Sequence, residues 1–230
     1  MVEKSSRIVF FGGAGVSTES GIPDYRSEDG LYSQKYHYPP ETMLSSEFLH
    51  SQPEEFFRFY RDKMMHPQAK PNITHEKLAH MEAKGKLLAV VTQNVDGLHQ
   101  LAGSKTVDEL HGSVHRNYCA QCGKGHSFAF VYRAIGIPRC ESCGGIVRPD
   151  VVLYGEQLNS DVVSSASRHI AGADMLIIGG TSLAVYPAAS FVRFYAGERL
   201  VVINKTPLMA GGAAIEITGG LGSVFSQIQA

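Results

Sequence analysis

The residues Arg7-Ile8-Val9-Phe10-Phe11-Gly12-Gly13-Ala14-Gly15-Val16-Ser17-Thr18-Glu19-Ser20-Gly21 settle what kind of sheet this chain builds. Positions 8–11 are an apolar run too short for a helix and stopped by glycine, the pattern of a strand covered on both faces. The small residues after it let the backbone turn tightly and let other groups come close. Outward from this point the same apolar pattern returns at Leu87–Thr92, Met175–Gly179 and Leu200–Asn204. Helical periodicity fills the intervals. A helix over 53–65 opens with proline in its first turn, one over 74–84 stops at Gly85, one covers 161–171, and one over 187–196 stops at Gly197. Strands alternating with helices predict an α/β fold, a Rossmann-like doubly wound parallel sheet with ligands beyond the carboxyl ends of its strands.

Each of these strands runs into a polar loop. The loop after the first could bring backbone amides to a phosphate at a helix start, yet it misses the GxGxxG dinucleotide fingerprint because Thr18 stands where the third glycine would be. A plain tight turn is the other reading of the loop. The second strand ends in Thr92-Gln93-Asn94-Val95-Asp96-Gly97-Leu98-His99, whose amide and carboxylate groups suit ribose hydroxyls and a water. His111 comes next, and an imidazole titrating near neutrality suits a general base, although a lone histidine is more often structural; His99 reads as a packing residue. The third strand ends in Gly179-Gly180-Thr181-Ser182-Leu183 and the fourth in Asn204-Lys205, which fit adenosine contacts or ordinary turn chemistry.

All four cysteines, Cys119, Cys122, Cys140 and Cys143, fall in one window as two CxxC pairs with 17 residues between them. Four thiolates so placed predict one structural Zn2+ with no open coordination position, and they leave no cysteine as a nucleophile. The window 116–149 reads as a zinc ribbon, and 28–71 as a helical insertion rich in Tyr, His, Pro and Ser; together these form a small domain. Segments 1–27, 72–115 and 150–230 then make up the core. With 43% apolar residues the chain supports a buried core, and no apolar run is long enough for a membrane span. The N-terminus enters a strand without a signal-like segment, which points to the cytoplasm. A formal charge of −1 provides no field to attract nucleic acid.

GAGVSTESGIPDYR, TQNVDGLH, ELHGSV, the paired CxxC, RPDVVLYGE, GTSLAVYPA and VVIN stand in the order found in sirtuins, and from about Val9 to Asn204 the chain resembles that family. The resemblance implies an NAD-dependent protein lysine deacetylase with NAD+ as co-substrate and acetyl-lysine proteins or peptides as partners. In that chemistry the acyl oxygen attacks the anomeric carbon of the nicotinamide ribose and nicotinamide leaves. An alkylimidate then collapses and is hydrolysed to free lysine and O-acyl-ADP-ribose. It implies His111 as the base, with Asn94 and Asp96 catalytic and Gln93 nearby. It places Gly13, Ala14, Gly15, Asp24, Tyr25 and Arg26 at the pyrophosphate and nicotinamide end, the last three beside a cofactor-binding loop in the 28–71 insertion. Gly179, Thr181, Ser182, Asn204 and Lys205 fall to the adenosine half. The family usually has phenylalanine where Tyr25 stands, which keeps the aromatic shield and adds a hydroxyl. Val151, Val152, Leu153, Tyr154, Gly155 and Glu156 match the strand that pairs with the substrate peptide, a contact that reads backbone more than sequence.

Relatives that remove acidic acyl groups carry a tyrosine and, three residues on, an arginine. The matching positions here are Phe57 and Tyr60, with Tyr60 and Lys63 as the shifted register, and short neutral acyl groups are expected; Arg58 and Arg61 are expected in solvent. Two rivals stand beside this reading: mono-ADP-ribosyl transfer from the same NAD site, and a zinc-ribbon nucleic-acid module using Arg116, Lys124, Arg133, Arg139 and Arg148.

Overall fold

The computed structural model of the chain describes residues 1–24, 37–183, 187–207 and 215–229. Its strands are β1 (Ile8–Gly12), β2 (Leu87–Thr92), β3 (Val107–Glu109), β4 (Gly112–Cys119), β5 (Gly125–Ser127), β6 (Val147–Val151), β7 (Met175–Gly179), β8 (Leu200–Asn204) and β9 (Ile215–Thr218). The α-helices are α1 (Pro40–Met43), α2 (Ser46–Ser51), α3 (Pro53–Lys63), α4 (Ile73–Ala83), α5 (Leu98–Leu101), α6 (Phe128–Arg133), α7 (Ser160–Gly172) and α8 (Leu221–Ser226). Six strands form a parallel sheet in the order β3-β2-β1-β7-β8-β9. The order reverses between β1 and β7, where a doubly wound sheet opens a crevice.

Side chains alternate across this sheet, and both faces are covered. Ile8, Phe10, Val90, Ile177 and Ile203 pack against Leu78 and Met81 of α4 and Leu221 and Phe225 of α8. Val9, Phe11, Val91, Leu176 and Ile178 pack on the other face against Ala166 and Ile170 of α7. Burial on both sides is why the strands read as unbroken apolar runs. The two longer helices that cover the sheet, α4 and α7, start where side-chain oxygens meet open amides: Asn72 accepts from Thr74 N at 3.0 Å, and Asn159 from Asp161 N at 2.9 Å.

A second core lies outside the sheet. Phe48, Phe56, Phe57 and Tyr60 of α2 and α3 pack with Val114, Val131, Val147 and Val151 of an antiparallel sheet ordered β5-β4-β6 and its helix α6. Helical insertion and cysteine window thus share one hydrophobic centre although most of the core sequence between 72 and 111 separates them. No helix among the described residues is long and apolar enough to cross a membrane.

Several local expectations are corrected. The segment expected as a helix over 187–196 winds as a 3₁₀ helix, Ala188–Phe194, in which Phe191 and Phe194 meet at 5.9 Å in the eclipsed i,i+3 relation of that winding. The cysteine window contains a helix, α6, started by Ser127 Oγ accepting from Phe130 N. Strands β3 and β9 carry no clear signal in the sequence, one because it has three residues and the other because all four of its residues are exposed. Arg61 is not in solvent: it donates to the Gly136 carbonyl at 2.8 Å and lies over the Phe57 ring, tying α3 to the cysteine window.

Candidate active site

The loops leaving β1, β2, β7 and β8 converge on one cavity of about 560 Å³, whose opposite wall is Leu44, Lys63, Met64 and residues 151–156. It therefore lies where the strand order reverses and where the large and small parts of the chain meet. Gly13, Ala14, Gly15, Asp24, Gln93, Asn94, Asp96, His111, Thr181, Ser182, Asn204 and Lys205 all line it. Tyr25 and Arg26 lie outside the described residues.

No α-helix directly continues β1; two short 3₁₀ turns do, Ala14–Val16 and Thr18–Ser20. The glycines there serve close packing as much as ligand approach. Gly13 N donates to Gly179 O and Gly15 N to Gly180 O at 2.8 Å, and a Cβ on Gly15 would stand 2.7 Å from Gly180 Cα. Gly179 accordingly supports the loop from behind and does not line the cavity. Ala14, at the first position of its turn, is left with an N–H that has no partner within the turn and none among the described residues. Asn204 is likewise committed: its amide oxygen accepts from Thr181 N at 3.1 Å and its amide nitrogen donates to Thr181 O at 2.8 Å.

The loop after β2 is held by a residue that sequence reading did not single out. Ser17, 1% exposed, donates to Asp96 Oδ2 at 2.7 Å and accepts from Asn94 Nδ2 at 3.0 Å. Asp96 Oδ1 takes Leu98 N at 2.9 Å, so both carboxylate oxygens have fixed donors. Gln93 Nε2 donates to Thr181 Oγ1 at 3.1 Å. His111 Nδ1 lies 2.9 Å from the Gln93 carbonyl. A carbonyl only accepts, so the proton sits on Nδ1 and Nε2 keeps the lone pair. Burial pushes the imidazole pKa below its ordinary value, with the Gln93 carbonyl opposing that shift, which leaves a neutral base at pH 7.

On the opposite wall, regular β structure ends at Val151. Beyond it the chain makes one parallel bridge, Ser45 to Tyr154, and a turn in which Glu156 N donates to Leu153 O. Val152 N goes to His111 O, Tyr154 N to Leu44 O, and Leu153 N to the Glu156 carboxylate. An extended peptide laid along 151–156 thus meets a strand whose amides at 152, 153, 154 and 156 are already engaged. Glu156 itself faces Arg148 through two oxygens, at 2.6 and 3.0 Å; burial raises its pKa, and the guanidinium with the Leu153 amide brings the net value below the ordinary one. Phe57 and Tyr60, the expected acyl-reading positions, are wholly buried in the small core and do not line the cavity; Lys63 and Met64 do. The helix rotates by about 100° per residue, and it is the end of α3 that reaches the opening.

The four cysteine Sγ atoms lie within 4.8 Å of one another, with Cys119–Cys143 at 3.4 Å and Cys122–Cys140 at 3.7 Å. Those separations are too long for disulfides. Four thiolates on one zinc stand roughly 3.8 Å apart given a Zn–S distance of about 2.3 Å, so the donor set fits a structural zinc. Four of the basic residues named for the nucleic-acid reading make contacts within the chain. Arg116 pairs with Glu109 at 2.6 Å and Asp150 at 2.8 Å, Lys124 donates to Ser142, Arg139 to Gly144 O, and Arg148 to Glu156.

Comparison with known proteins agrees with this geometry. The family model described as Sir2 family matches residues 13–187. An NAD-dependent protein deacetylase of Clostridium acetobutylicum is 53% identical over 99% of this chain and 95% of its own length. A Sir2–p53 peptide–NAD+ structure superposes with a TM-score of 0.85 at 37% identity, covering 98% of this chain and 93% of that one. A Sir2 structure bound to acetylated peptide gives 0.84 at 36% identity, with the same coverage. Fold and sequence agree, and the chain belongs to the Sir2 family.

Proposed function

We infer that the protein removes acetyl groups from protein lysine side chains, consuming NAD+ and releasing nicotinamide and acetyl-ADP-ribose. The observation that carries the reading is His111: its proton is held on Nδ1 by Gln93, and it stands in a cavity shared by the strand-end loops and the 151–156 wall. NAD+ supplies a ribose carbon whose bond to nicotinamide breaks as the acyl oxygen bonds to it. His111 Nε2 takes the proton of a ribose hydroxyl, and the charge that develops on the ring is shared through Nδ1–H with the Gln93 carbonyl. Ser17 holds Asn94 and Asp96 in one row against the nicotinamide ribose. The Ala14 amide serves the pyrophosphate, and Asn204, by fixing the Thr181 backbone, shapes the adenosine end beside Ser182 and Lys205.

In this reading the core consists of 1–27, 72–115 and 150–230, and the small domain of 28–71 and 116–149. The substrate lysine enters along residues 151–156, between the two. Four thiols poised for metal suit a reducing compartment, and the cytoplasm is the setting proposed. The test is incubation with an acetyl-lysine peptide and NAD+. Stoichiometric nicotinamide, free lysine and acetyl-ADP-ribose are expected. Label from NAD+ retained on protein would indicate ADP-ribosyl transfer, and absence of all three products would overturn the reading.

A further inference from the structure

We propose that His115 is a positioning residue through which the zinc-bearing module sets the place of Asp96. It rests on the cavity being the NAD+ site. His115 sits in β4, four residues before Cys119. Its Nε2 lies 2.9 Å from the backbone carbonyl of Asp96, and since that oxygen only accepts, the ring donates to it. The next residue, Gly97, has φ +72°, and a Cβ there would come within 2.7 Å of His115 Cδ2. Glycine is required both by the left-handed backbone and by the ring lying over it.

The other side of the imidazole belongs to the module. It stacks on Phe128 at 5.1 Å and 27°, and Phe128 stacks on Tyr132 at 5.7 Å and 18°. Both aromatics are on α6, whose Val131 is buried in the small core with Cys119 and Cys140. One residue earlier on β4, Val114 N donates to Val95 O at 2.9 Å. Two successive β4 residues therefore hold two successive carbonyls of the loop, one through backbone and one through a side chain. Asp96 cannot shift without disturbing Ser17, and Ser17 is what joins it to Asn94.

An exposed histidine with an aromatic neighbour is ordinarily replaceable at little cost, and a purely structural role predicts small changes in thermal stability and none in cofactor use. The positioning role predicts the reverse. The experiment uses the zinc-loaded full chain, with KM for NAD+ and kcat measured at saturating acetyl-lysine peptide, alongside zinc content and Tm. His115→Phe keeps the stacking ring and removes the donor; its KM for NAD+ should rise about fivefold, the effect of one neutral hydrogen bond, with kcat within about twofold. His115→Gln restores a donor and should bring KM back to within about twofold of the parent. A parental KM in His115→Phe, or equal impairment in both variants, overturns the link. Should the parent protein lack NAD+ turnover, the functional reading falls by itself. Hydrogen exchange of amides 94–98 then decides the link: faster exchange in His115→Phe than in the parent and His115→Gln supports it, and identical exchange overturns it.

Discussion

Along β1 and β7 every residue is buried and the register runs unbroken from Ile8 opposite Met175 to Gly12 opposite Gly179, whereas between β4 and β6 the register shifts between Ser113 and Asn117 and two β4 residues are exposed. The large sheet is stabilised by non-directional burial on two faces. The small module has a single core of its own and adds directional contacts to it: four cysteines, the Arg148–Glu156 pair, the Arg61–Gly136 bond. Burial can be altered piecemeal, but a tetrahedral donor set works only when complete. The two parts should accordingly fail differently, and the clusters of the sheet share no residue with that of the module.

The largest effect that could break this contrast is loss of metal. Cys119→Ala should bind less than about half an equivalent of zinc and lose turnover, because structural zinc contributes on the order of 10 kcal/mol to a small module. Its unfolding should become two-stepped, the module melting first while the far-ultraviolet signal of the sheet persists to a higher temperature. A single transition at the parental Tm would show that the module needs no metal, and full zinc loading would show that three thiolates suffice.

His111 tests the other part, because its role depends on the sheet's loops and not on the metal. His111→Ala should lower turnover by roughly 10² to 10⁴ with zinc content unchanged. In the parent protein the base must be neutral, and burial sets its pKa below the ordinary 6.5. kcat/KM should therefore hold through neutrality and fall only as pH drops through a value lower than that. Turnover within about threefold of the parent in His111→Ala, or an acid limb above about pH 7, would remove His111 from the role.

The same contrast explains what was legible. The four central strands could be read because two-sided burial writes itself as short unbroken apolar runs, and the cysteine spacing because metal geometry tolerates few alternatives. Ser17 is illegible because a serine after a glycine-rich turn carries no signal of its own; only the fold brings it to Asn94 and Asp96, 77 and 79 residues away. His115 is hidden for the same reason, its partner being a backbone carbonyl. Of the two registers read for the acyl group, Phe57 and Tyr60 face inward to a core contributed by strands more than 50 residues later, while Lys63 of the shifted register lines the cavity, a choice that helical spacing alone does not reveal.

Beneath the Asp96 loop, burial holds His75 down at about 4 despite the nearby Asp96 charge, and holds His99 well below its ordinary value with His75 adding to the effect. Below about pH 6.5 the unfolded chain takes up protons that the folded chain refuses, so stability falls with decreasing pH. Each histidine adds a slope of about 1.4 kcal/mol per pH unit, and for His75 the slope ends near pH 4. Neither ring nitrogen of His99 has a hydrogen-bond partner among the described residues, so His99→Leu removes no bond. Urea unfolding at about pH 7 and pH 5 should show the variant losing less stability than the parent, by about 1 to 2 kcal/mol. Equal losses in the two proteins would mean that His99 titrates normally in the folded chain.

A further comparison concerns the acyl group, where wall and sheet meet. Phe57 and Tyr60 are sealed in the small core, and the cation nearest in sequence that lines the cavity is Lys63, 2.9 Å from Asp62. A succinyl carboxylate entering there would compete with Asp62 for that ammonium, and lysine offers a point charge in place of arginine's two-pronged donor. Acetyl should therefore be preferred, by about one to two powers of ten in kcat/KM, the equivalent of one charged hydrogen bond of roughly 1.5 to 3 kcal/mol. The comparison is made on one peptide carrying either group. Lys63→Ala should leave the acetyl rate within about twofold and lower whatever succinyl rate remains, because only the acidic group draws on the charge. A parent protein that removes succinyl as fast as acetyl, with the preference restored by Lys63→Ala, would show that Lys63 abandons Asp62 for the substrate and that the end of α3 selects for acidic acyl groups.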